Sequence, residues 1–191
     1  PAIPPGDGSR GRGDVYKRQN PVTGSMTLTA VPRGYEIIIT DKDGKEHLVT
    51  KDNYTDVLGD GTVSYEAGLI GYDPVLKLNN AKLRSIEYDG NLALQLEGRS
   101  SIAARAKENA IYAGDLTSQG DGILSISAEN GQAYKPLNGI CTYTQNSGHV
   151  TMPESALNRF ERFSFSGGTL TLLGADTETF VNIARCLKAG K

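Results

Sequence analysis

The sequence predicts an all-β chain, coiled as a parallel, right-handed β-helix with rungs of about 24 residues and preceded by an N-terminal β-hairpin. Three observations carry this. Apolar anchors recur at Leu92, Leu116, Ile140, Phe163 and Leu187, in steps of 24, 24, 23 and 24 residues. The segments they open alternate with period 2, as in Leu92-Ala93-Leu94 and Phe163-Ser164-Phe165, which is strand periodicity. Glycine-bearing turns follow, at Gly98, Gly120-Asp121-Gly122, Ser147-Gly148 and Gly167-Gly168. One rung cannot bury its own apolar face, so a constant period implies stacked rungs sharing one core. Crossovers between parallel strands coil right-handed. A β-sandwich also needs many short strands, but not like residues at a constant interval.

Residues 1–33 read as a leader outside the fold, and 34–191 as a single domain. Residues 1–19 hold four basic and two acidic side chains and almost nothing to bury, a composition that favours disorder. The run Asp14-Val15-Tyr16-Lys17-Arg18-Gln19 resembles translated sequencing-adapter DNA of metagenomic origin, and Arg12-Gly13-Asp14 is read as a chance match to adhesive tripeptides. Residues 34–50 form the hairpin, with Tyr35–Thr40 and Glu46–Thr50 as strands and Asp41-Lys42-Asp43-Gly44 as the turn. No glutamate follows at the spacing of a calcium-binding EF-hand loop. Residues 51–61 read as a polar turn or short helix, then Thr62–Tyr65 and Val75–Leu78 as strands and Asn79-Asn80 as a turn.

From Leu83 each rung has an anchor strand, a turn, a second strand and a short third strand. Leu124-Ser125-Ile126, Val150-Thr151-Met152 and Leu170-Thr171-Leu172 are second strands; Ala110–Ala113 is a third. Parity places Leu92, Leu94, Phe163, Phe165, Leu170 and Leu172 inside. Ser118 and Thr142 stand where apolar partners are expected, which predicts looser packing, and the Pro153–Arg162 connection is irregular. Residues 177–189 satisfy both helical spacing (Phe180, Ile183, Ala184, Leu187) and the rung period; the strand reading implies a fragment that stops mid-rung. Cys141 and Cys186 lie two rungs apart, roughly 10 Å, beyond disulfide reach, so both are expected as thiols.

The net charge of −2 offers no basic footprint for nucleic acid. No apolar run has the length of a membrane span. Two histidines, His47 and His149, stand far from nucleophile-base patterns, and no zinc spacing or phosphate loop occurs. Tyr88 and Tyr112, 24 residues apart, and Tyr134 recur before the anchors. Outward, they would form a platform for sugar rings; inward, they would stack in the core. Asp115 and Asp121, with Glu129, Asp89 and Glu97 near other turns, are the candidate calcium ligands.

The phrases Asp56–Tyr65, Tyr72-Asp73-Pro74, Leu76–Ala81, Ala110–Thr117 and Ser166–Leu172 resemble secreted bacterial carbohydrate-binding β-helix proteins, which look like the pectate-lyase fold without its lyase site. The resemblance implies an extracellular or cell-surface protein that binds polysaccharide without catalysis, with calcium as a possible companion. A structural or adhesive stalk is the alternative. A polysaccharide lyase would need calcium and a basic residue, for which Arg99, Arg105 and Lys107 are the candidates.

Overall fold

A computed structural model describes residues 36–68, 73–129, 132–136, 141–157 and 159–174. They form a β-solenoid of about four turns, whose regular structure is nearly all strand. Three faces repeat. The first stacks β4 (Val75–Asn79), β6 (Leu92–Glu97), β9 (Leu116–Gly120), β12 (Thr142–Gln145) and β14 (Arg162–Phe165), all parallel. The second stacks the start of β5 (Lys82–Tyr88) on β7 (Arg99–Ala104), β10 (Ile123–Ala128), β13 (His149–Pro153) and β15 (Thr169–Leu173). The third stacks the end of β5 on β8 (Asn109–Ala113) and β11 (Gln132–Pro136). β5 therefore turns a corner, pairing through Leu83 with β7 and through Ile86 with β8.

Even the corners keep the ladder. Ile123 N–H donates to Gly98 C=O, His149 N–H to Gly122 C=O and Thr169 N–H to Gly148 C=O, at 2.8, 3.0 and 2.8 Å. Gly120 shows why glycine recurs here. Its φ is +104°, and a Cβ there would overlap the Leu96 carbonyl oxygen of the preceding coil.

Two antiparallel strands close the leading end. β1 (Ile37–Asp41) pairs with both β2 (Glu46–Leu48) and β5, and β3 (Val63–Glu66) pairs with β4. The expected hairpin is present, and it occupies the open edge of the first coil. Residues 51–61 are turn and bend rather than helix. The Asp56 carboxylate accepts from the N–H groups of Gly59, Asp60 and Gly61 at 2.9–3.1 Å, which shapes that loop.

Inside, like residues stack in register. Leu76 and Leu94 continue one column; Leu83, Ile102 and Ile126 form another; Ile86, Ile111 and Tyr134 a third. All are buried, each large aliphatic contributing about 1.5–3 kcal/mol.

Four expectations are corrected. The residue opposite Leu116 is Tyr143, and Tyr143 pairs onward with Phe163, so these steps are 27 and 20 residues (143−116, 163−143). Coil length varies because turns absorb residues that ladders cannot. Ile140 lies outside the described residues, and Thr142 belongs to the outward parity of β12.

Second, Ser118 does not loosen the core. It is buried, and its Oγ lies 3.0 Å from the Tyr143 hydroxyl, which also bonds Gln145 Oε1 at 3.0 Å. Gln145 Nε2 then donates to the carbonyls of Gly148 and Thr169, at 3.2 and 2.9 Å. A column that begins as Leu94 becomes polar at Ser118 and Gln145, with every buried polar side-chain atom among the described residues satisfied. Burial pushes the Tyr143 phenol up to about 12, with the Ser118 bond acting the other way.

Third, Phe165 is 44% exposed, and Leu170 and Leu172 are only half-buried. β14 and β15 are the last described strands of their faces, and no described coil covers their far sides. Fourth, the third face of the next coil is not a strand. There α1 (Glu154–Leu157) packs beside β11, and Phe160 follows it into the core. The irregular Pro153–Arg162 connection is thus a helical turn. Leu187, Cys186 and residues 177–189 lie outside the described residues, as does the 1–33 leader. Cys141 is a buried thiol.

Two predictions follow from this packing. In a double-mutant cycle, Tyr143→Phe and Ser118→Ala should each lower stability by about 1–3 kcal/mol and couple by at least about 0.5 kcal/mol, read from denaturant midpoints. The second concerns Asp41. Its bond to His47, at 3.0 Å, and to the N–H groups of Lys45 and Asp43 lower its pKa from 3.8 to about 2. The stabilisation is fully present above the unfolded value and lost as pH falls through the folded one. Amide-exchange protection of the hairpin turn should therefore fall between pH 3.8 and about 2, and Asp41→Asn should remove that step.

Candidate functional site

The outer surface of the second face carries an open groove of about 600 Å³. Strand parity builds its floor. In β7 the buried residues are Ser100, Ile102 and Ala104, so Ser101 and Ala103 face out, and Ser127 of β10 stands opposite Ala103. All three are short, which leaves the floor low. In β5, Lys82 and Arg84 alternate with buried Leu83 and Ser85, so two long cations rise at the leading edge. Arg105 and Glu129, just beyond β7 and β10, form the far wall. Lys42 reaches the rim from the hairpin turn.

The charges are not equivalent. Arg84 is held by both carboxylate oxygens of Glu108, one rung away, and its guanidinium packs beneath Gly44, where a Cβ would collide with it. Glu108 also accepts from the Arg105 N–H at 3.0 Å and so sets the turn that presents Arg105. Lys42 pairs with neighbouring Asp43 at 2.6 Å, an exposed contact of little worth. Lys82 and Arg105 make no salt bridge among the described residues. Lys42 and Lys82 also border a hollow of about 170 Å³ with Asp41, Asp43 and Asp60. Those carboxylates are engaged by His47, Lys42 and Thr62 respectively.

The tyrosines do not form one strip. Tyr134 points inward, 2% exposed, stacked on Phe160 at 3.9 Å, with its hydroxyl on the carbonyls of Ala113 and Gly114. Burial pushes its phenol far up. Tyr112 is shifted by one residue, in register with Glu87 and Lys135, and points out, with Lys135 Nζ 5.3 Å from its ring centroid. Desolvation and then Asp89 raise its phenol. Tyr88 is half-buried against the core at a corner. A one-residue offset reverses the face in a strand: β8 and β11 pair at a step of 23 residues, as in Tyr112 with Lys135, so the 22 residues from Tyr112 to Tyr134 supply such an offset.

Asp115 and Asp121 flank the two ends of β9, about 20 Å apart at strand rise, so the turns do not bring them together. The Asp115 carboxylate accepts the Thr142 N–H at 2.7 Å and acts as a corner clamp. Among the described residues no group of three or more His, Cys, Asp or Glu is placed to hold a metal. Of the basic candidates, Arg105 lines the groove, Arg99 stands on the outward column that continues through Ile123 to His149, and Lys107 occupies the turn before β8 with φ +71°. Sequence reasoning missed Lys82 and Arg84, although their alternation with Leu83 and Ser85 marks them as outward, and the spacing of 24 between Arg84 and Glu108 marks a pair on adjacent rungs.

Comparison of the chain with protein-family models, with curated proteins and with solved structures finds no match.

The inward and outward assignments of the tyrosines are separable by mutation. Tyr134→Ala should cost about 3–5 kcal/mol in chemical denaturation, as for other buried aromatics. Tyr112→Ala should cost less, about 0.5 to 1 kcal/mol, the range for an outward, half-buried ring with one cation contact.

Proposed function

We propose that this is a non-enzymatic, extracellular or cell-surface protein that binds polysaccharide along the outer surface of the second face of the solenoid. The observation that carries the reading is the open groove of about 600 Å³, floored by Ser101, Ala103 and Ser127 on a hydrogen-bonded sheet. A sugar chain offers hydroxyls and an apolar ring face together. The groove answers both, with serine hydroxyls beside alanine methyls and long cations at its edges. The sheet is rigid before binding, so little ordering cost falls on the protein side. The extracellular location and the absence of catalysis rest on the sequence resemblance. Tyr112, with Lys135 and Asp89 beside it, offers a single aromatic face elsewhere on the coil rather than a platform.

A stalk is the second reading, and the unbroken register between coils favours it, because such ladders give length and stiffness whatever lies outside.

The test is retention of the full chain on immobilised polysaccharides, with and without chelator, together with ultraviolet detection of unsaturated sugars. Retention without product, undiminished by chelator, is expected. Ala103→Trp, which fills the groove, should weaken retention at least tenfold, whereas Thr117→Trp on the first face should not. No retention on any glycan would leave the stalk, and release of unsaturated sugar would make the protein a lyase.

A further inference from the structure

The geometry points to a sulfate or phosphate ester, carried on the glycan, as the group this groove selects; the inference rests on the polysaccharide reading above. The groove is lined by four cations, Lys42, Lys82, Arg84 and Arg105, against one carboxylate, Glu129, in a chain whose net charge is −2. Arg84 is neutralised by Glu108, whose carboxylate also accepts the Arg105 backbone N–H. Lys82 and Arg105 are left without an ionic partner among the described residues. They stand on different coils, and the floor hydroxyl of Ser101 is in register with Lys82.

Donors thus face the groove from three directions: an ammonium from the leading edge, a hydroxyl from the floor and a guanidinium from the far wall. A tetrahedral ester turns its terminal oxygens toward all three. A planar carboxylate has oxygens in one plane and leaves one side of the groove unanswered. The turn that carries Arg105 is set before any ligand arrives, because Glu108 accepts the Arg105 backbone N–H while gripping Arg84. That pre-organisation favours an oxyanion over a neutral hydroxyl, which cannot repay the desolvation of two cations.

The experiment uses the full chain on four columns at equal ionic strength: dextran sulfate, phosphorylated dextran, polygalacturonate of matched charge density, and neutral dextran. A parallel series compares melting temperatures in inorganic sulfate, inorganic phosphate and chloride. Either ester-bearing dextran should be held at least tenfold more tightly than polygalacturonate and neutral dextran, and the better of the two identifies the ester. The double variant Lys82→Gln/Arg105→Gln should lose that tenfold preference. Lys77→Gln, on the first face and paired with Glu66, should keep it. Sulfate and phosphate stabilise proteins generally, so the reading is the excess shift of the parent over the double variant. Equal retention of polygalacturonate, or a double variant that behaves as the parent, overturns the inference and leaves polysaccharide binding intact. An excess ion shift without retention of any polymer would instead sink the polysaccharide reading and retain the oxyanion site.

Discussion

Everything in this fold depends on the parallel ladder between successive coils. Each coil hydrogen-bonds its neighbour residue by residue, so a residue's column is set by the one below it. Leu92 sits on Leu116 and Leu116 on Tyr143, and the carbonyl of Gly98 receives the N–H of Ile123. An extra residue within a ladder would exchange the inside and outside of everything after it. The chain therefore keeps its strands in register and lets coil length vary at corners. The 27 residues from Leu116 to Tyr143 and the 20 from Tyr143 to Phe163 coexist with unbroken pairing. Stacked glycines follow from the same demand, because a coil passing over another at ladder distance leaves no room for a Cβ at Gly120.

A ladder also has ends. Its leading edge would present unpaired backbone groups, which are prone to edge-to-edge association. β1 and β3 run antiparallel to the first coil and take up those groups without continuing the coil. The hairpin that closes this end also supplies Lys42 to the groove and presses Gly44 on Arg84. Capping and the candidate site are thus built from the same residues. Inside, the switch from Leu94 to Ser118 and Gln145 shows that a column needs compatible neighbours more than uniform ones. The Tyr143 hydroxyl joins the polar pair, and its ring meets Phe160, which in turn meets Phe163.

Inner and outer surfaces of such a coil are chemically independent. The inner residues answer to packing; the outer ones answer only to solubility and to whatever the surface meets. The groove arises where short outward side chains on β7 and β10 meet long ones on β5 and at the turns. Arg84 and Glu108 bind the rim together across adjacent coils, so a site made of exposed residues inherits the rigidity of the ladder beneath.

The sequence alone determined the class of fold, the hairpin, the ladder positions of Leu92, Leu116 and Phe163, and the irregular stretch after Pro153. Strand alternation, turn chemistry and period are local properties of the chain, and they survive without knowing what packs on what. It did not determine the facing of Tyr88, Tyr112 and Tyr134, the separation of Asp115 from Asp121, or the fate of Ser118. The tyrosines and Ser118 depend on how many residues a corner consumes, and the two aspartates on β9 running straight between them; spacing along the chain counts neither. Lys82 and Arg84 were legible as outward cations, but not as walls of one groove with Arg105. Only the stacking of three coils brings residues more than twenty positions apart to the same edge. Tertiary structure decided the site because the ladder, and not the sequence interval, sets which side chains become neighbours.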